Sequence, residues 1–130
     1  MSLSDGDVAV LARQAVDLLS AEAAIDIEPV AGDDPYRWGP SAWLVWPLVD
    51  GRREFAVRID SGQAAAEALA QLIDRLGEYV SEAPGFWGQA FPVCPGHPHP
   101  AEVAVDGVDV VLRCPDTGRE VRRIAPDLPV

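Results

Sequence analysis

The first part of the chain carries apolar residues at helical spacing. They recur every three or four positions and so fall on one face: Val8, Leu11, Ala15, Leu18 and Leu19. Ser4 precedes this run and can cap its amino terminus, where Asp5 and Asp7 meet the positive end of the helix. The pattern predicts a helix over residues 5–24 with one buried stripe.

Three short segments then have the composition of strands. Residues 25–28 alternate apolar and acidic side chains, and Pro29 ends this strand or places it at a sheet edge. Residues 42–48 and 53–59 predict a hairpin around Asp50-Gly51, a dipeptide typical of tight turns. The second strand of the hairpin turns three side chains inward: Phe55, Val57 and Ile59.

Two features beside these strands add detail. Pro47 has no N–H to donate, so we expect its strand to lie at an edge or to carry a bulge there. Residues 32–40 are rich in Gly, Asp and Pro and predict a loop that carries Tyr36, Arg37 and Trp38. We expect this aromatic-rich loop to cover an open end of the core.

A second apolar stripe predicts a long helix, capped by Ser61 and stopped by Pro84-Gly85. The order helix, strand, hairpin, helix predicts an α+β body over residues 1–90, with a small antiparallel sheet and two main helices. The buried face of the second helix comprises Ala66, Leu69, Ile73, Leu76 and Val80.

Residues 91–130 have the pattern of a three-stranded β-element, which we expect to pack on the body as part of one compact unit. Two strands, 102–105 and 108–113, flank the turn dipeptide Asp106-Gly107, and residues 119–124 form the third. The third strand should turn two apolar side chains inward, Val121 and Ile124.

The charge of the chain limits its partners. Ten arginines against 21 acidic residues give a net charge of −11, and such a field repels nucleic acid. The chain has no Lys and no Asn, a bias typical of a GC-rich bacterial genome. We expect a protein partner, or self-association through exposed tryptophans among Trp38, Trp43, Trp46 and Trp87.

The sequence has no feature of a membrane protein. No apolar run approaches the roughly 20 residues that a membrane span needs, and the amino terminus lacks the basic start of a signal peptide. We therefore expect a cytoplasmic protein, in which two cysteines are thiols or metal ligands more often than a disulfide.

The chemically distinctive residues lie in one C-terminal cluster. Its first part is Cys94-Pro95-Gly96-His97, followed by His99, and its second part is Cys114-Pro115-Asp116-Thr117-Gly118. These segments resemble the knuckles of a zinc ribbon, in which two Cys-Pro-x-Cys-Gly turns hold a tetrahedral zinc between short hairpins. The resemblance covers about residues 91–124 and implies a structural or binding role. It places His97 as the second ligand, whereas Thr117 stands where a fourth ligand belongs.

Zinc accepts thiolate, imidazole and carboxylate donors, and a structural site almost always fills four positions with protein groups. Cys94, His97 and Cys114 supply three donors. His99 is the first candidate for the fourth and Asp116 the second. The softness of thiolate and imidazole donors favours Zn²⁺.

Four interpretations of the cluster stay open: a structural zinc, a ribbon that has lost its metal, an open catalytic zinc with three protein ligands, and a Cys94–Cys114 disulfide. No phosphate loop, dinucleotide-binding glycine motif or serine-hydrolase elbow occurs in the sequence. We therefore expect a non-enzymatic accessory or protein-interaction domain with a structural zinc. The alternative is a metal- or thiol-dependent enzyme that uses the Cys94/His97/His99/Cys114 cluster.

Overall fold

Two helices and two antiparallel three-stranded sheets make up the part of the chain that the computed structural model describes, residues 3–23, 28–33, 42–48, 55–82 and 89–128. The predicted α+β class is confirmed. In chain order the elements are α1 (Asp5–Ala23), β1 (Glu28–Asp33), β2 (Ala42–Leu48), β3 (Val57–Asp60), α2 (Ala65–Glu82), β4 (Glu102–Asp106), β5 (Asp109–Arg113) and β6 (Glu120–Ile124).

Helix α1 begins at the predicted cap. The Asp7 N–H donates to the Ser4 hydroxyl oxygen at 3.1 Å, and the Ser4 N–H donates to the Asp7 carboxylate at 2.9 Å. This reciprocal pair satisfies backbone donors that the first helical turn leaves without a partner. The predicted apolar stripe is buried in full, from Val8 to Leu19.

The first sheet has the order β1-β2-β3, with both pairings antiparallel. Its first strand occupies Glu28–Asp33, so the chain is extended where a loop was predicted from residue 32, and the predicted strand residues 25–27 lie outside the described part of the chain. Strand β1 is an edge strand, as Pro29 indicated.

The expectation that Pro47 marks an edge or a bulge is wrong, because β2 is the central strand. The described pairing to β3 covers Ala42–Val45 on the β2 side, so Pro47 lies beyond it. Its neighbour on the other side is Pro29, which also lacks an N–H. The missing donor therefore falls where β3 does not pair with β2.

The predicted hairpin strands do pair, although the second is shorter and its turn at residues 50–51 lies outside the described residues. Val57 and Ile59 are buried, and Phe55 packs against the core and stacks on Tyr79, with the ring centroids 5.3 Å apart. The inward face of this strand is confirmed.

Helix α2 buries the predicted stripe, but Ser61 does not cap it. The helix starts at Ala65, four positions later, and the Ser61 carbonyl accepts the Leu3 N–H at 2.7 Å instead. The Gln63 side chain accepts the Asp60 N–H at 2.8 Å, which keeps the chain in a turn before the helix. The predicted stop at residues 84–85 lies outside the described residues.

The second sheet has the order β4-β5-β6. Gly107, with φ of 63°, allows a two-residue loop between Asp106 and Asp109. Between β5 and β6 the register shifts at Val121, which is 36% exposed, so its predicted inward orientation is wrong. Ile124 packs against the core as predicted.

One buried cluster joins the helices to both sheets. Helix α1 packs on α2 and on β1, while α2 contacts β3, β4 and β5. The cluster includes Val110 and Leu112 of β5 and extends to Cys94 and Cys114. Neither described helix is long and apolar enough to cross a membrane. The division of the chain near residue 90 stays a prediction.

Candidate metal centre

The first knuckle is a turn held between two short backbone contacts. Val93 and Pro100 form a β-bridge, and the Ala101 N–H donates to the Pro92 carbonyl at 2.9 Å. Inside this frame the His97 N–H donates to the Cys94 carbonyl at 3.1 Å, and Gly96 has a φ of 79°. A side chain at position 96 would be strained at that φ, which accounts for the glycine.

The second knuckle follows β5 directly. The Cys114 N–H donates to the Arg119 carbonyl at 2.9 Å, and the Gly118 N–H donates to the Cys114 carbonyl at 2.7 Å. The Thr117 hydroxyl oxygen accepts the Arg119 N–H at 3.2 Å, and Gly118 has a φ of 71°. The chain therefore reverses within five residues and presents Cys114 toward the first knuckle.

The two knuckles bring all four predicted ligand residues together. One donor atom from each of Cys94, His97, His99 and Cys114 lies within 4.8 Å of the other three. The Nδ1 atom of His97 is 3.3 Å from both cysteine sulfurs. Both cysteines are buried and free, so the disulfide alternative is not the arrangement in this structure.

These distances fit a tetrahedral metal. With Zn–S bonds of about 2.3 Å and Zn–N bonds of about 2.0–2.1 Å, tetrahedral angles put sulfur and nitrogen about 3.6 Å apart. The two S···N contacts of His97 are 3.3 Å, so this ring would move slightly outward to admit an ion. The donor atoms of the whole group lie within 4.8 Å of one another, so the farthest of them would move inward. Two sulfurs and two imidazoles form a donor set that suits Zn²⁺.

Thr117 does not contribute a ligand, but it acts on one. Its hydroxyl donates to the Cys114 sulfur, and together with the N–H groups of Thr117 and Asp116 it lowers the pKa of Cys114 to about 6 against the opposing effect of burial. Burial, the hydrogen bond to Cys114 and the negative charge there raise the pKa of Cys94. One thiolate is thus formed readily at neutral pH, and thiolate is the form that binds metal.

His99 lies between two oxygen acceptors. Its Nε2 is 3.0 Å from the Asp116 carboxylate, and its Nδ1 is 3.2 Å from the Pro100 carbonyl oxygen. Burial disfavours the charged ring, but the hydrogen bonds to Pro100 and Asp116 outweigh it and raise the pKa of His99. The His97 and His99 rings are neighbours, with centroids 4.8 Å apart.

A surface cleft of about 540 Å³ opens onto the cluster. The buried Cys94 and Cys114 and the exposed His97 line this cleft, together with Arg119 and Glu120. A metal held here would therefore lie near the surface, with both sulfurs on its buried side.

The sequence identified the cluster but missed two contacts within it. Neither the hydrogen bond from Thr117 to Cys114 nor the pairing of His99 with Asp116 was expected, although Asp116 was named as a ligand candidate. A hydroxyl three residues after Cys114 was the available signal for the first. The second joins residues 17 positions apart and has no local signal.

The chain matches no protein-family model, and searches of curated proteins and of solved structures found no match. The Cys/His/His/Cys group can hold a metal ion by its donors and distances. No family evidence supports the zinc-ribbon resemblance, which therefore stays an argument from the two knuckles themselves.

Proposed function

We propose that this protein is a non-enzymatic accessory or protein-interaction domain whose two knuckles are joined by a structural zinc ion. Cys94, His97, His99 and Cys114 are the proposed ligands. The observation that carries the proposal is that one donor atom from each of these residues lies within 4.8 Å of the others. A set of four soft protein donors is typical of structural sites and leaves no position for a substrate.

The proposed zinc would connect the two knuckles, whose Cys and His side chains meet in the cluster. The first knuckle follows Phe91 and Pro92, which are buried beside α2, and the second follows β5. An ion bound to both restricts the unfolded chain and adds its binding free energy to that of folding. The zinc-ribbon resemblance supports this role, because ribbons use their metal to hold the two knuckles together.

The proposed partner is a protein or a second copy of the chain. Charge supports this choice over nucleic acid, because a net charge of −11 opposes the phosphate contacts that provide most nucleic-acid affinity. The expected result is no retardation of labelled duplex DNA or RNA in a gel at low salt. Binding that weakens steeply with salt would contradict this part of the proposal.

Metal analysis of the purified protein tests the zinc. We expect one zinc per chain by mass spectrometry, and X-ray absorption should give two sulfurs at about 2.3 Å and two nitrogens at about 2.0–2.1 Å. Cys114→Ser should lose the metal. Thr117→Ser is the matched control, because it changes the same turn but keeps the hydroxyl that donates to Cys114.

Two results would contradict the proposal. If the protein holds no stoichiometric metal after refolding with zinc, the two knuckles are not joined by a structural zinc ion. Three protein ligands plus a bound water would favour the alternative, a metal-dependent enzyme, because an open position is what catalytic zinc sites keep. The cleft of about 540 Å³ would then be the place for its substrate.

A further inference from the structure

We propose that Asp116 is a positioning residue that holds His99 as the fourth ligand, with Nε2–H bound to Asp116 and Nδ1 bound to the metal. The inference rests on the proposed function and deepens it. It explains how a ribbon-like site with Thr117 in a ligand place can still have four protein donors.

Asp116 contacts His99 without belonging to the donor group itself. Its carboxylate oxygen lies 3.0 Å from Nε2 of His99, whereas the group of donor atoms within 4.8 Å of one another includes no atom of Asp116. The Asp116 side chain is 67% exposed and that of His99 is 26% exposed, so the carboxylate lies on the outer side of the ring. This is the arrangement of an outer carboxylate that orients a metal-bound imidazole.

The contacts of the His99 ring decide which nitrogen would bind the metal. Nε2 faces the Asp116 carboxylate and Nδ1 faces the Pro100 carbonyl oxygen, so a metal ion would have to replace one of these two contacts. The bond to a carboxylate is charge-assisted and stronger than the 3.2 Å contact to the neighbouring carbonyl. We therefore expect Nε2–H to keep its hydrogen bond to Asp116, and Nδ1 to give up its contact with the Pro100 carbonyl and coordinate the metal.

The pairing also connects the two knuckles outside the metal. His99 follows the first knuckle, and Asp116 lies inside the second, directly before Thr117. The turn that lacks its own fourth ligand thus supplies the residue that fixes a ligand from the other segment.

Three variants test the assignment in the full chain. Asp116→Ala and Asp116→Asn should lower zinc affinity by about 10–100-fold, measured by competition with a chromophoric chelator. Asp74→Asn is the matched control, since it removes an exposed carboxylate from α2 on the cavity wall that also includes His99, and it should bind zinc like the wild type. His99→Ala should lose more affinity than either Asp116 variant.

A second measurement separates positioning from general stability. In the zinc-bound wild type, ¹⁵N-detected histidine spectra should show His99 protonated at Nε2 and coordinated through Nδ1. In Asp116→Asn, X-ray absorption should still count two nitrogens, because the ligand set is unchanged while its orientation is weakened. A zinc-loaded His99 coordinated through Nε2, an oxygen ligand lost on Asp116→Asn, or wild-type affinity in both Asp116 variants would overturn the assignment.

The outcomes distinguish this inference from the proposed function. A wild-type protein without zinc would refute the structural zinc itself. Zinc bound by two sulfurs and two nitrogens, with wild-type affinity in both Asp116 variants, would leave the structural zinc in place and refute only the role of Asp116.

Discussion

Gly77 lies on the buried face of α2, where the segment leading to the first knuckle crosses the helix. A methyl group added at Gly77 would lie 2.7 Å from the Phe91 carbonyl oxygen, 3.1 Å from its carbonyl carbon and 3.2 Å from Cδ of Pro92. Two of these three atoms belong to the backbone, so the clash cannot be relieved by a change of side-chain rotamer. Gly77→Ala therefore forces the helix and this segment apart.

The expected change in stability of Gly77→Ala is the sum of two opposing effects. Replacing a glycine inside a helix by alanine favours the helix by about 1 kcal/mol. Overpacking a well-filled interior costs about 1–3 kcal/mol, and a contact of 2.7 Å with a backbone oxygen belongs in the upper half of that range. We expect a net destabilisation of about 1–2 kcal/mol, the opposite of what helix propensity alone would give.

Urea unfolding, followed by tryptophan fluorescence and far-UV circular dichroism, measures the difference in unfolding free energy between Gly77→Ala and the wild type. The free zinc concentration must be the same for each variant, because a ligand that binds the native state shifts the unfolding midpoint. Gly6→Ala is the matched control in the first turn of α1, because its new methyl group would lie 3.8 Å from the nearest atom, the Ser4 hydroxyl oxygen. It should be neutral or slightly stabilising. A Gly77→Ala protein as stable as the wild type would refute the packing argument.

Three further predictions concern the cap, the second sheet and the vacant ligand place. Ser4→Ala should cost about 1 kcal/mol in urea unfolding because it removes a helix cap, whereas Ser61→Ala should stay within about 0.5 kcal/mol; equal effects would contradict the observed start of α2. Arg123→Gln removes the hydrogen bond that, with the positive charge of the arginine, lowers the pKa of Asp106 from 3.8. A carboxyl group whose pKa is lowered by folding stabilises the folded state at pH values above its unfolded pKa. The wild type should therefore be slightly more stable than the variant at neutral pH, and this difference should disappear in unfolding titrations as the pH falls below about 4. A difference in stability that stays constant with pH would refute the prediction. Thr117→Cys places a thiol where zinc ribbons have a ligand, and we expect tighter zinc binding with a third sulfur in the absorption spectrum; unchanged affinity would contradict the ribbon geometry.

Local rules predicted the helices well, because their signals lie within a few residues. The Ser4 cap and the buried stripes of α1 and α2 follow from spacing alone. Ser61 has the same capping chemistry as Ser4, yet its carbonyl is engaged by Leu3, a residue distant in the sequence. A competing partner of that kind cannot be found by inspecting the neighbours of Ser61.

The strands were predicted less completely. Val121 and Ile124 were both expected to face inward, but residues three apart fall on opposite faces of a regular strand, and the register shift then leaves Val121 exposed. Pairing partners decide such shifts. The same holds for Pro47, whose place in a central strand depends on how far β3 extends beside it.

The sequence by itself determined which residues of this protein can bind a metal, because only Cys, His and acidic side chains carry suitable donors and the Cys and His residues are confined to two short segments. It also indicated the two turns, through the Cys-Pro segments at residues 94 and 114 that resemble zinc-ribbon knuckles. Only the tertiary structure decided that four donors meet within 4.8 Å and that Asp116 contacts His99. The physical reason is that these contacts join two loops whose separation is set by the packing of α2 and β5 beneath them.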